Sequence, residues 1–213
     1  MLSISLNAPL SIAIYLFPDV EVLDFAGPYE VFTTASRVFR RENPSLPVPF
    51  TVCTVAREAG LVKARAGLVV QPDYSFANHP PIDVLLIAGG VVTAERETPE
   101  VIAWIAATAN RASLTASVCT GAFLLAEAGL LDGLSATTHW EDIPDMQAWY
   151  PAVNTVAGQR WVDEGAIVTS AGISAGIDMS LHLVERLAGR ELALLTARQM
   201  DFDWQDNRSN RNA

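Results

Sequence analysis

The chain has 213 residues, half of them apolar and 18% charged, a composition that supports a packed core and argues against disorder. Fourteen Lys and Arg stand against 24 Asp and Glu, and the net charge of −10 repels phosphate backbones and anionic lipid, so no nucleic-acid or membrane surface is expected. Two cysteines, Cys53 and Cys119, exclude a disulfide framework or a four-thiolate metal site, and three scattered histidines lack metal-ligand spacing. No apolar run reaches the ~18 residues of a membrane span. The N-terminus lacks a basic region before its short apolar run, so a cytoplasmic chain with reduced thiols is the expectation.

In chain order, apolar runs rich in β-formers predict strands over 11–17, 50–55, 84–88 and 114–118. These runs are apolar on both faces, as central strands of a parallel sheet are when helices cover each side. Helices are predicted over 28–41, 99–111 and 120–128. The second keeps Val101, Ile102, Ile105 and Ala109 at helical spacing, and Pro99 sits where a first-turn proline is tolerated. Residues 60–71 alternate Leu61, Lys63 and Arg65 against Val62, Ala64 and Ala66, which predicts a small antiparallel ribbon. A second ribbon is predicted between 155–156 and 167–169, turning at 163–165. Two closing helices, 174–187 and 191–199, break at Gly189, and residues 205–213 read as a frayed polar tail. Strand–helix alternation of this kind implies right-handed crossovers and a doubly wound α/β fold, expected as one domain over 1–204.

The sharpest chemical feature is the run from Leu114 through Val118 to Cys119, Thr120 and Gly121. A buried strand leads directly into a cysteine, and a helix opens at once with small residues. Such a bend pushes one side chain out at the sheet edge, and a thiol at a helix N-terminus meets free N–H groups that favour the thiolate. The competing reading is a buried core cysteine, and the local pattern leaves the two level. Cys53, inside a predicted strand, reads as packing. Asp24 lies between the first strand and the proline-opened helix, as a site carboxylate or as a helix cap. Gly89 and Gly90 follow the third strand, where their N–H groups either form an oxyanion pocket or serve a tight turn. These strand ends share the carboxyl rim, where ligands bind in open α/β sheets.

With those residues in place, the chain resembles the DJ-1/PfpI (ThiJ) superfamily from about residue 11 to residue 198. The resemblance lies in Ile-Ala-Gly-Gly (87–90), Ser-Val-Cys-Thr-Gly (117–121), Ala-Gly-Leu-Leu-Asp-Gly (128–133), Ala-Thr-Thr-His-Trp (136–140) and Ile-Ser-Ala-Gly-Ile-Asp (173–178). It implies a flavodoxin-like three-layer α/β sandwich, a reactive cysteine at the elbow and a homodimer. Within the superfamily the pattern is most similar to isocyanide hydratases and to the sensor domains of AraC-type regulators. Both resemble Leu-Asp24-Phe-Ala-Gly-Pro, where DJ-1 itself and the PfpI proteases carry Glu, and both have Thr at position 120. The proteases place His directly after the cysteine, so protease activity is not expected. His139, twenty residues beyond Cys119, is similar in spacing to a histidine near the DJ-1 thiol. It either supports the site, the favoured role, or protonates a reacting group. His79 and His182 read as structural.

The resemblance implies a cofactor-free cysteine enzyme that adds water to an isocyanide, giving an N-substituted formamide. Cys119, Asp24 and Thr120 are then catalytic, and Gly89, Gly90 and His139 bind the substrate or its developing charge. The thiolate attacks the terminal isocyanide carbon while a protonated Asp24 bonds the sulfur and shuttles protons, which asks for a raised Asp24 pKa and a lowered Cys119 pKa. The reading from a different class is a small-molecule-binding or redox-sensing module. Similar regulators continue into a helix-turn-helix domain, whereas this acidic chain ends at Ala213, so a DNA-binding regulator is not expected. Glyoxalase- or deglycase-like activity goes with Glu at position 24 and ranks lower. The loops 91–98 and 139–150 are expected to wall the pocket. Trp140, Trp149 and Trp161 are candidate apolar walls or plain core.

Overall fold

The computed structural model describes residues 8–206. The chain runs through β1 (Leu10–Tyr15), α1 (Val22–Glu42) and β2 (Phe50–Ala56) into a two-stranded ribbon, β3 (Val62–Lys63) and β4 (Val69–Val70). Then come β5 (Tyr74–Ser75), β6 (Val84–Ile87), α2 (Thr93–Arg96), α3 (Pro99–Ala109), β7 (Leu114–Val118) and α4 (Gly121–Glu127). The last third holds β8 (Ser135–Ala136), a 3-10 turn at Trp140–Asp142, α5 (Ile143–Trp149), β9 (Asn154–Thr155), β10 (Trp161–Asp163), β11 (Ile167–Ser170), α6 (Ala175–Ala188) and α7 (Arg190–Gln199).

Seven strands form one sheet in the order β10-β11-β7-β6-β1-β2-β5, parallel throughout except that β10 runs antiparallel to β11. The central strands β1, β6 and β7 bury both faces because helices cover each side. From β1 the chain steps one way to β2, and from β6 it steps the other way to β7. Right-handed crossovers therefore place α1 and α3 on opposite faces. One layer is α1, α6 and α7; the other holds α2, α3 and α4. The strand order reverses between β1 and β6, so a crevice opens beyond their carboxyl ends.

The main strands, the three-layer α/β architecture and the first ribbon follow the sequence expectation. Four details do not. Helix α1 starts at Val22, six residues before Pro28, because Pro28 sits inside it and not at its opening. A proline in the seventh helical position removes the N–H that the Asp24 carbonyl would have received, and its ring crowds that carbonyl. The second ribbon turns at 163–165 as expected, but its first strand is 161–163; Thr155 instead pairs in parallel with Ala136. Residues 167–170 also form a main-sheet strand beside β7, a long-range pairing invisible to local pattern. Finally, the expected tail starts anchored: Gln205 N–H donates to Asp178 at 2.8 Å, and Asp206 pairs with Arg190 at 2.8 Å. Residues 207–213 of that expected tail lie outside the described residues. Among the described residues no helix is long and apolar enough to cross a membrane.

Candidate active site

Strand β7 ends at Val118, and the next residue bends the chain: Cys119 has φ 56°, left-handed backbone that costs a non-glycine residue about 1–3 kcal/mol. The bend is held from outside. Cys119 N–H donates to the carbonyls of Ser170 and Ala171, both at 3.2 Å, and the Thr138 hydroxyl donates to the Cys119 carbonyl at 2.9 Å. Helix α4 then starts so close to β6 that Gly121 is obligatory: a Cβ there would overlap the Ile87 carbonyl oxygen and come within 2.9 Å of that of Ala88. Cys119 is buried, with only 6% of the residue exposed.

Asp24, the third residue of α1, is fully buried beside that thiol. It is no helix cap, since Glu21 occupies the cap position and the Asp24 carboxyl turns inward. Its Oδ2 accepts the Gly89 N–H at 3.2 Å, and Oδ1 has no hydrogen-bond partner of good geometry. Burial, reinforced by the Glu21 charge, pushes the carboxyl up to about 7, with the thiol and Gly89 N–H holding it lower than burial alone would.

The thiol departs from expectation. Burial and the Asp24 carboxylate push Cys119 up to about 12, against the pull of two backbone N–H groups, Thr120 and Ile173, that face the sulfur. Two acids sharing a dry pocket cannot both ionise readily, so the first proton leaves Asp24 and the sulfur keeps its own. The lowered Cys119 pKa read from the helix start is overturned because α4 is short and the thiol is buried.

The two glycines also differ from expectation. Gly89 and Gly90 do not present free N–H groups to a ligand: the first is taken by Asp24, the second by Thr120 Oγ1 at 2.8 Å. The Thr120 hydroxyl returns a bond to the Gly90 carbonyl at 2.8 Å, so it clamps the β6 loop onto the elbow. A Cβ on Gly89 would stand 2.6 Å from Asp24 Oδ2 and 2.8 Å from Thr120 N. The N–H groups that face the sulfur are instead those of Thr120 and Ile173. Ile173 opens the quoted run 173–178, but its N–H at the sulfur was missed by sequence reading, because the φ of 42° that turns it there is set by tertiary packing.

A cleft of about 260 Å³ opens over the thiol, lined by Cys119, Thr120 and Gly90 together with Glu21, Arg65, Val91, His139, Glu141, Asp142 and Ile173. The two predicted wall loops contribute Val91, His139, Glu141 and Asp142. None of the three tryptophans lines it. Trp140 is 74% exposed, Trp149 packs on Arg96 and Phe123, and Trp161 is buried against His182. Charged residues stand where apolar walls were expected, with Arg65 and Glu21 paired at 3.4 Å across the mouth. His79 accepts from Trp104 and His182 pairs with Asp163, both structural as expected; Cys53 is half-buried packing. A larger cavity of about 680 Å³ lies far along the sheet at β10, where Trp161, Asp163 and His182 sit, without a thiol.

The DJ-1/PfpI family pattern matches residues 10–186. The chain is similar to isonitrile hydratase of Pseudomonas putida, 34% identical over 198 residues, covering 91% of this chain and 78% of that protein. It is similar also to the HTH-type transcriptional regulator GbdR of Pseudomonas aeruginosa, 32% identical over 87% of this chain, which spans 48% of the regulator's length. A crystal structure of a THiJ/PfpI family protein from Pseudomonas syringae superposes with TM-score 0.80 at 29% identity, covering 93% of this chain and 77% of that one. The chain belongs to the DJ-1/PfpI family.

Proposed function

We propose that the chain is a cofactor-free cysteine enzyme that hydrates isocyanides to N-substituted formamides. The observation that carries the reading is a fully buried carboxyl, Asp24, titrating near neutrality against a buried thiol whose sulfur is faced by two backbone N–H groups. The similarity to an isonitrile hydratase over most of both chains supports it.

The chemistry follows from the proton inventory. Above pH about 7, Asp24 is a carboxylate and Cys119 a thiol, so the pair holds one proton. As the sulfur bonds the terminal isocyanide carbon, Asp24 takes the thiol proton, and the Thr120 and Ile173 N–H groups meet the charge that passes through the sulfur. Asp24 then returns that proton to the same carbon, giving a thioimidate, Cys119–S–CH=N–R. A base with pKa near the working pH suits both transfers. Water adds to the thioimidate carbon, the C–S bond breaks, and formamide and thiol are released. Thr120 acts through its N–H and through its clamp on Gly90, and Gly89 acts by fixing Asp24. Catalytic roles for Cys119, Asp24 and Thr120 are part of this proposal.

The test is turnover of an alkyl isocyanide by the purified protein, followed as formamide, with Cys119→Ala as the inactive control. Formamide at the background rate from the wild type would reject the hydratase. The second reading, a small-molecule sensor module, draws on the match to a regulator and on the raised thiol, which is slow to react unaided. It predicts saturable ligand binding without turnover, unaltered in Cys119→Ala.

A further inference from the structure

Beyond the carboxyl ends of β1 and β2 lies a second cavity, of about 180 Å³, that shares no lining residue with the cleft over Cys119. Residues 15–18 and Ala56 form its walls, and the bend at 57–61, which follows β2, covers it. Glu95, from the short helix α2, lines it from within, with only 5% of the residue exposed.

A carboxylate taken out of water is costly unless donors or a cation meet its lone pairs, and Glu is seldom buried without such a partner. Here the Tyr15 hydroxyl donates to Glu95 Oε2. Burial and the Glu95 charge push the phenol far above its usual titration, so the proton stays on Tyr15 and the charge on Glu95. Among the described residues no cationic side chain pairs with Glu95. Its Oε1 has no donor and is not sealed off, so the cavity is what it faces. Arg57 lines the same cavity but turns its Nε to Glu58, at 3.6 Å.

The neighbouring rings fix the geometry. Tyr15 stands 5.5 Å from Phe17 and from Phe76 and 5.6 Å from Trp104, between ring centres, and Phe76 stacks on Trp104 at 4.0 Å. Of these, Tyr15 and Phe17 line the cavity, so aromatic surface stands beside the carboxylate. A desolvated carboxylate, a phenol oxygen with a lone pair to spare and aromatic rings together suit an organic cation that carries N–H donors. The volume equals the share of roughly six waters in the liquid, which limits the ligand to a few carbons.

We propose that this cavity binds a small primary alkylammonium ion. The ammonium donates to Glu95 Oε1 and to the Tyr15 oxygen, and the alkyl chain lies along Phe17 and Val62 beneath the 57–61 bend. Of the other charges near the phenol, Glu100 favours the cation, and Arg57 at the rim opposes it. The site stands apart from the hydratase reading, because none of its residues lines the cleft.

The test is a titration of the ¹⁵N-labelled protein, followed at the amides of residues 57–61, with three probes of one size: n-butylammonium, n-butanol and butyrate. The expected result is saturable binding of n-butylammonium with a Kd of ~1 mM, within the ceiling for so small a ligand, and binding of the other two at least ~10-fold weaker. Glu95→Gln should weaken n-butylammonium ~10-fold or more, the worth of a hydrogen bond to a charged group. Arg57→Gln should tighten it by ~2–5-fold, as loss of a nearby like charge does. The probe comparison on the wild type and Arg57→Gln, at a partly exposed position, carry the test if Glu95→Gln fails to fold. Equal response to n-butanol, tighter binding of butyrate, wild-type affinity in Glu95→Gln or weaker binding in Arg57→Gln would each overturn the proposal. So would the absence of any shift with n-butylammonium at about 50 mM, which would mean that the cavity holds water only.

Discussion

Asp24 and Cys119 place two acids in one dry pocket, and burial rather than the helix start decides which of them ionises first. Cys119 alkylation should therefore rise through pH about 7, as Asp24 becomes the base that takes the thiol proton. Asp24→Asn should move that rise toward the thiol's own titration and lower isocyanide turnover by ~10²–10⁴-fold, both measured on the same preparation. Identical alkylation curves in the two proteins would remove Asp24 from the mechanism. The same carboxyl makes a statement about stability. The folded protein keeps a proton that the unfolded chain releases above 3.8, so the stability it contributes is complete below that pH and is lost as pH rises to about 7. Across that window the slope is at most ~1.4 kcal/mol per pH unit. Urea unfolding at pH 5 and pH 8 should show the decline in the wild type and a flatter profile in Asp24→Asn.

At the scale of elements, the site is a junction of three loops held together by glycines and by one hydroxyl. The elbow helix α4 packs against the carbonyls that end β6, and Gly121 allows it. Gly121→Ala should destabilise the protein by about 1–3 kcal/mol, the range for overpacking, read as a lower Tm by calorimetry. It should also pull Thr120 from Gly90 and reduce turnover beyond what the lost stability explains. An unchanged Tm would mean that α4 can slide along the sheet. Thr120→Val keeps the volume but leaves the Gly90 N–H without its 2.8 Å acceptor. Gly90 is only partly buried and lines the cleft, so the lost hydrogen bond should cost about 0.5–1.5 kcal/mol, and unfolding by denaturant should register it.

For the whole molecule, the doubly wound order β11-β7-β6-β1-β2 brings segments far apart in sequence to one rim. Asp24, Gly89 and Cys119 each follow a different strand of that set, and His139 arrives from the segment after α4. Beside the cleft the 3-10 turn leaves Trp140 74% exposed, and the ribbon leaves Leu61 and Leu68 open to solvent. Apolar surface of this kind, with the family resemblance, underlies the expectation of a homodimer. Sedimentation equilibrium at micromolar protein should return twice the chain mass of 22.9 kDa; a species of 22.9 kDa alone would refute the dimer.

The local pattern of this chain determined a great deal. Apolar runs at 11–17, 84–88 and 114–118, rich in β-formers, suit strands buried on both faces, and a cysteine at the end of one, before Gly121 and Ala122, marks the elbow. Asp24, Gly89, Thr120 and Cys119 were legible because each follows a strand or opens a helix, and strand ends in such sheets share a rim. What each does there was decided by packing. The N–H groups of Gly89 and Gly90 read as an anion pocket, yet the approach of α1 and the elbow gives them to Asp24 and Thr120. The thiol read as activated by a helix start, yet burial raises it, because desolvation depends on everything that covers a group and not on its neighbours in the chain. Ile173 opens the run Ile-Ser-Ala-Gly-Ile-Asp (173–178), yet nothing in that run shows its N–H turned to the sulfur, and Asp142 carries no motif. Their places at the sulfur and at His139 come from long-range closure of the β11–α6 segment and the 3-10 turn over the elbow, which no spacing in the sequence encodes.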